Sequence, residues 1–140
     1  MNPDEKAGLI VRAMMEKDAF SRWLGAEVIH AGPGCCTLKA TITPEMVNGF
    51  EVCHGGVTFS IADSALAFAS NSRGVKSVSI ETSISHTKAV RAGDIITATA
   101  TEQHLSDKLA TYHVTLTNQL RETVALFKGT VYRTGREWEV

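Results

Sequence analysis

The sequence predicts an α+β architecture in which one long, mostly buried helix is wrapped by a curved antiparallel β-sheet. Two observations carry that expectation. Residues 57–72, VTFSIADSALAFASNS, are rich in alanine, free of proline and glycine, and longer than a strand usually runs. Behind them come four segments of period-two alternation: SVSIETSISHT (77–87), GDIITATATEQH (93–104), KLATYHVTLTN (108–118) and TVALFKGTVYR (123–133). A helix followed by consecutive strands is an α+β order, not the βαβ alternation of a parallel sheet.

The elements follow in chain order. Ala7, Ile10, Val11, Met14, Met15 and Ala19 recur at helical spacing, and Pro3 and Asp4 suit a helix start, so residues 4–20 are expected to be helical. Gly25 and the turn Gly32-Pro33-Gly34 bracket a short strand around Glu27–His30, and CCTLKATI (35–42) alternates as the second arm of that hairpin. Thr43–Cys53 has no clear period and reads as a loop. His54-Gly55-Gly56 opens the central helix, and Gly74 stops it. The four long strands are joined through Gly-Asp, Ser-Asp-Lys and Arg-Glu turns, which predicts an antiparallel meander in sequence order.

Composition narrows the function classes. A chain of 140 residues has the length of one domain, 1–140, with an N-terminal helical segment over 1–20. With 44% hydrophobic and 21% charged residues it is neither disordered nor a disulfide-stapled miniprotein. A formal net charge of −1 gives no global attraction to nucleic acid or to an anionic membrane, so an anionic ligand needs a local basic patch. Cys35, Cys36 and Cys53 make a poor disulfide framework and contain no C-x-x-C pair for zinc. Residues 1–20 carry charges throughout and lack the apolar core of an export signal, and no run approaches the roughly 20 apolar residues of a membrane span. The expected location is the cytoplasm.

Asp63 is the most informative residue. It sits mid-helix among Ile61, Ala62, Ala65 and Leu66, where an unpaired charge costs several kcal/mol if buried. Gly56, Ser60, Asp63, Ala67 and Ser70/Asn71 form one stripe of small or polar residues, which on periodicity alone reads equally well as a solvated helix face. The glycines at the helix start change that balance. A helix N-terminus offers unsatisfied N–H groups and the positive end of the dipole, and glycine lets a ligand atom approach, so the Gly55 N–H is a natural oxyanion donor. His54 could bind a ligand, act as a base or cap the helix entry. Cys53 beside it reads better as a buried, inert thiol than as a nucleophile. His30, His86, His104 and His113 are scattered through strands with no ligand spacing.

Taken together, Asn48-Gly49-x4-His54-Gly55-Gly56-x6-Asp63 closely resembles the signature of the hotdog-fold acyl-CoA thioesterases of phenylacetate catabolism. The resemblance extends to the helix tail ALAFASNS, the Ala92-Gly93-Asp94 turn and VALFKGTVYR, and covers roughly residues 20–133. It implies the hotdog fold, and hydrolysis of an aryl- or short/medium acyl-CoA to a free acid without metal or organic cofactor. It implies Asp63 as general base or nucleophile, Gly55 as carbonyl-polarising donor, Asn48 as the residue positioning water or the Asp, and His54 beside the thioester. It also implies Gly56 at the substrate, and Ser79 is the nearest equivalent of a strand serine used by some relatives, on a strand that also carries Ser77 and Ser83. Lys88 and Arg91 are the first candidates for the CoA phosphates, with Lys128 and Arg133 behind them.

Geometry and resemblance both point to a shared site. Asp63 follows Gly55 by eight positions, or about 12 Å of helix rise. Two chains with helices side by side would bring Asp63 of one to Gly55 of the other, in a homodimer or a homotetramer of two such dimers. Val57, Phe59, Ile61, Leu66 and Phe68 look like too many apolar groups for one sheet face, a second reason to expect pairing. The rival readings are a hotdog protein that binds acyl-CoA without turnover and a dehydratase of the same fold. Sensors of the first kind carry a DNA-binding module for which the residues before Trp23 are too few. The second places its His in a proline-rich loop, and Pro44 alone does not make one.

Overall fold

Helix α1 (Pro3–Lys17) starts where Asn2 caps it, the Asn2 Oδ1 accepting from the Glu5 N–H at 2.8 Å. It ends three residues earlier than its apolar spacing predicts. Asp18 turns its carboxylate onto Ser21, accepting from the N–H at 2.9 Å and the hydroxyl at 2.6 Å, and so caps a separate short helix α2 (Ala19–Trp23). The aspartate offers the backbone a local alternative to continuing the helix. The structure, a computed structural model, describes all residues from Met1 to Val140.

A hairpin follows, β1 (Glu27–Gly32) and β2 (Cys35–Thr41), turned at Gly34 with φ +72°. The segment 43–53 is more ordered than an unpatterned loop. It contains a 3₁₀ turn at Pro44–Met46 and an isolated antiparallel bridge between Val47 and Cys53. Helix α3 (Gly55–Asn71) starts on the two glycines, as the His54-Gly55-Gly56 opening predicts, with His54 as its cap. Four strands complete the chain: β3 (Val75–His86), β4 (Ile95–Leu105), β5 (Leu109–Thr117) and β6 (Thr123–Glu137).

All six strands form one antiparallel sheet in the order β1-β2-β4-β5-β6-β3, the hotdog arrangement around a long helix. The meander holds for β4-β5-β6. It fails for β3, which pairs with β6 and not with β4. The cause is the connection 87–94, which is a crossover and not a tight turn. Its backbone is tied instead to the ends of other elements, with Cys53 N–H donating to Val90 O, Ile42 N–H to Asp94 O and Gly93 N–H to Ile42 O. The chain thus leaves β3 at one edge and re-enters the sheet beside β2.

Helix α3 touches every strand. Ile61, Leu66 and Phe68 are fully buried, and Val57 and Phe59 pack on the core's margin, with Phe59 edge-on to Phe127 at 5.4 Å. One curled sheet together with α1 therefore covers these five residues, contrary to the expectation that a single chain could not. Each fully buried side chain of this kind contributes about 1.5–3 kcal/mol. What the chain leaves open is different: the small, polar stripe of α3 and the long free edge of β3, where Val78 and Ile80 are more than half exposed. No helix is long and apolar enough to cross a membrane.

The far end of α3 is pinned. Asn71, buried, bonds to Ser77 N–H and C=O and accepts from the Trp138 indole at 2.9 Å. Arg73 makes a two-pronged pair with Glu102 on β4, which also accepts from the buried Tyr112 hydroxyl at 3.0 Å. The helix that carries the candidate carboxylate is thus fixed against the sheet.

Candidate active site

Asp63 lies two turns into α3 on the line Gly56-Ser60-Asp63-Ala67, the least buried side of the helix. It is half-buried and has no ion pair or hydrogen bond. Burial pushes its carboxyl above the ordinary aspartate range, because desolvation disfavours the charged form. It opens onto a pocket of about 280 Å³ lined by Leu66, Ala67, Ser70, Ser77, Val78, Ser79 and Val131. A carboxylate that is partly dehydrated and unpartnered has the character of a base.

Ser79 shares this pocket, and its hydroxyl has no protein partner. The other two serines are distinguished by the strand itself. Ser77 donates its hydroxyl to Val75 O and gives its backbone to Asn71. A bulge between Ser79 and Glu81 then flips the alternation, so that Ser83 falls on the opposite face, in a groove with His113 and Lys128. Lys128 is thereby outside both candidate halves of the site. So is Arg133, whose guanidinium holds Ser106 O in the β4–β5 turn.

The helix N-terminus forms a second, separate cavity of about 350 Å³, lined by Val52, Cys53, Gly55, Thr58, His86, Thr87, Lys88, Ala89 and Val90. The Gly56 N–H is occupied by the His54 ring, donating to Nδ1 at 2.8 Å. The Gly55 N–H makes no hydrogen bond and is the free donor of the pair. Because Nδ1 of His54 accepts, its Nε2 bears the proton in the neutral ring and faces outward as a donor. Asn48 uses its side-chain oxygen on its own loop, accepting from Phe50 N–H at 2.9 Å and Val52 N–H at 3.4 Å, which leaves its amide NH₂ free to donate. Lys88 pairs with Glu122 at 3.2 Å on the cavity rim, both about half exposed, an interaction weak enough to exchange. Arg91 is held at its backbone by Asp94 and does not line the cavity. Cys53 is buried and its thiol is pushed up to about 11 by desolvation, so it is no nucleophile at neutral pH.

The two cavities share no residue within one chain. The structure brings Asp63 together with Ser79, and Gly55 with Lys88, but does not bring the first pair to the second. Sequence reasoning missed Thr58 and His86. The His86 ring lies over Gly55, and its Nε2 is 2.9 Å from the Thr58 hydroxyl. Strand parity gives no signal for it, because the bulge upstream reverses which side His86 faces.

Comparison with known proteins supplies the family. The model of the thioesterase superfamily matches residues 50–125, the stretch from the loop before α3 through β6's start. The acyl-coenzyme A thioesterase PaaI of Escherichia coli is 39% identical over 130 residues, 93% of each chain. The solved structure of the E. coli PaaI protein superposes with a TM-score of 0.95, covering 97% of this chain and 99% of that one at 38% identity. A Streptococcus mutans protein solved with acetyl-CoA bound matches at a TM-score of 0.78 and 25% identity, over 81% of this chain and 91% of that one. The chain therefore belongs to the thioesterase superfamily, in its PaaI-like branch, and is a thioester hydrolase of the hotdog fold.

Proposed function

We propose that the chain hydrolyses an acyl-CoA to the free acid and CoA, with an aryl or short/medium acyl group of the phenylacetyl type, in a site built from two copies. The observation that carries this reading is the unpaired, partly dehydrated Asp63 on an open line of a buried helix. The pocket beside it, about 280 Å³ and lined by Leu66, Val78 and Val131, suits a compact apolar acyl group.

In the chemistry, Asp63 takes a proton from water as its oxygen adds to the thioester carbonyl, or attacks the carbonyl itself to give an anhydride that water then opens. Ser79, in the same pocket, orients the water. The oxyanion is stabilised by the Gly55 N–H at the positive end of α3, with the His54 Nε2–H alongside. Collapse expels the CoA thiolate, whose parent thiol has a pKa near 8.5 by analogy with cysteine, so no strong general acid is needed. On the general-base route the thiolate recovers the proton held by Asp63; on the anhydride route it takes up the proton released when water opens the anhydride. The free amide of Asn48 donates to the attacking water or to the carboxylate.

Separation of the two half-sites supports assembly. The free edge of β3, with Val78 and Ile80 exposed, is suited to pair with the same strand of a second copy, and the small-residue line of α3 allows two helices to lie close. Asp63 of one subunit then faces Gly55 of the other. A homotetramer would be two such dimers.

The test is a hydrolysis screen over acetyl-, butyryl-, hexanoyl-, benzoyl- and phenylacetyl-CoA, following released thiol. The reading requires turnover on at least one, with the best kcat/KM on an aryl or short/medium acyl group. Binding without thiol release across the panel contradicts it. For the nucleotide end, Lys88→Ala is expected to raise KM severalfold at nearly constant kcat, because a phosphate contact persists from ground state to transition state. Arg91→Ala should do the same to a smaller extent, since Arg91 stands outside the cavity. Unchanged KM values would remove both from the CoA site.

A further inference from the structure

Helix α3 opens on two consecutive glycines, the residues least able to hold a backbone donor in one orientation. An oxyanion donor works only if its direction is set before the reaction. Resting on the proposal that Gly55 is that donor, the structure raises the question of what fixes it. The peptide that carries this N–H is held at its carbonyl, His54 O accepting from Val57 N–H at 2.9 Å. The next peptide, Gly55–Gly56, is held by two imidazoles from its opposite ends. Its N–H, on Gly56, donates to His54 Nδ1 at 2.8 Å. Its C=O, on Gly55, accepts from the Thr58 hydroxyl at 3.1 Å. With that proton committed, Thr58 Oγ1 accepts in turn from His86 Nε2, 2.9 Å away. The rings also occupy the space of the missing side chains. A β-carbon on Gly55 would lie 3.0 Å from His86 Cε1, and one on Gly56 would lie 2.9 Å from His54 Nδ1.

We propose that His86 is a positioning residue for catalysis: through Thr58 it locks the Gly55–Gly56 peptide against the His54 clasp, which with the His54 carbonyl held by Val57 fixes the Gly55 backbone from both sides and so sets the direction of its N–H at the cavity Gly55 shares with Lys88. His86 itself acts on the backbone, not on the reacting atoms. Thr58, buried in the first turn of α3, is the link that gives the histidine reach.

The experiment compares His86→Leu, His86→Gln, Thr58→Val and Thr58→Ser in the full-length protein on its best acyl-CoA substrate, with Tm measured for each. Loss of one such hydrogen bond corresponds to a fall in kcat on the order of five- to tenfold, because the donor acts in the transition state. The proposal expects His86→Leu and Thr58→Val to lose kcat by that factor at little-changed KM. Glutamine, whose amide nitrogen matches Nε2 in reach, should recover most of the loss, as should serine at 58. The double variant His86→Leu/Thr58→Val should be no slower than either single, because both remove the same link. Should His86→Leu fold poorly, the Thr58 pair carries the test alone. Wild-type kcat in Thr58→Val, additive losses in the double variant, or leucine and glutamine behaving alike would each overturn the assignment. Failure of the underlying reading looks different: Gly55→Pro itself would then remain active.

Discussion

Asp63→Asn is expected to lower kcat on the order of 10²–10⁴-fold, the usual weight of a general base, while acyl-CoA binding and the fold persist. Asparagine keeps the shape of the side chain and cannot accept the proton or form the anhydride. The same substitution is expected to hold or raise stability, and the sign follows from burial. Desolvation raises the folded pKa of Asp63 above its unfolded value, so its ionised form costs stability at neutral pH and the cost vanishes as pH falls below the carboxylate range. The advantage of asparagine in thermal unfolding should therefore be largest near pH 7 and disappear near pH 3–4. Activity of the wild type should rise with pH along a limb that lies above the usual aspartate pKa of about 4, as the base becomes ionised. A near wild-type rate in Asp63→Asn removes Asp63 from the chemistry.

Gly55→Pro is expected to produce the second large effect, a loss of about 10²–10³-fold in kcat, comparable to removing one oxyanion donor elsewhere. Proline suits the first position of a helix, where its missing N–H interrupts no intrahelical bond, so α3 should still form. Its ring does meet the His86 imidazole, which lies 3.0 Å from where a β-carbon would stand. Gly55→Ala is therefore the control: it crowds the same ring but keeps the N–H. Alanine retaining substantially more activity than proline assigns the loss to the donor, and equal losses assign it to crowding.

How much of this was legible in the sequence differs by element. The helix and the carboxylate were readable because Asp63 violates its apolar surroundings and because two glycines at a helix start are costly without a use. The β4-β5-β6 meander was readable because its links are short. The placement of β3 was not, because period-two alternation marks a strand without naming its neighbour, and the eight residues 87–94 look like a turn region while serving as a crossover. The break at Asp18 escaped because the apolar spacing runs straight through it, whereas the deciding bonds come from one side chain to Ser21. The choice among Ser77, Ser79 and Ser83 depends on a bulge that no alternation count reveals. The same bulge hid His86, which parity would have placed on the other face. Apolar residues of α3 suggested pairing for a reason the fold does not support, since the sheet covers them; the separated half-sites are the better argument.

That separation is the central claim, and mixing is its most direct test. Asp63→Asn and Gly55→Pro chains are each expected to be nearly inactive alone. Each homodimer has two sites lacking the same half, whereas a heterodimer has one site lacking both halves and one site lacking neither. Unfolded together in equal amounts and refolded, random pairing should restore about a quarter of wild-type activity, since half the dimers are mixed and each has one intact site of two. Recovery near that level is the predicted result. No recovery, with heterodimers demonstrated by native mass spectrometry and both variants folded, would contradict the account and place Asp63 and Gly55 of one chain in the same site.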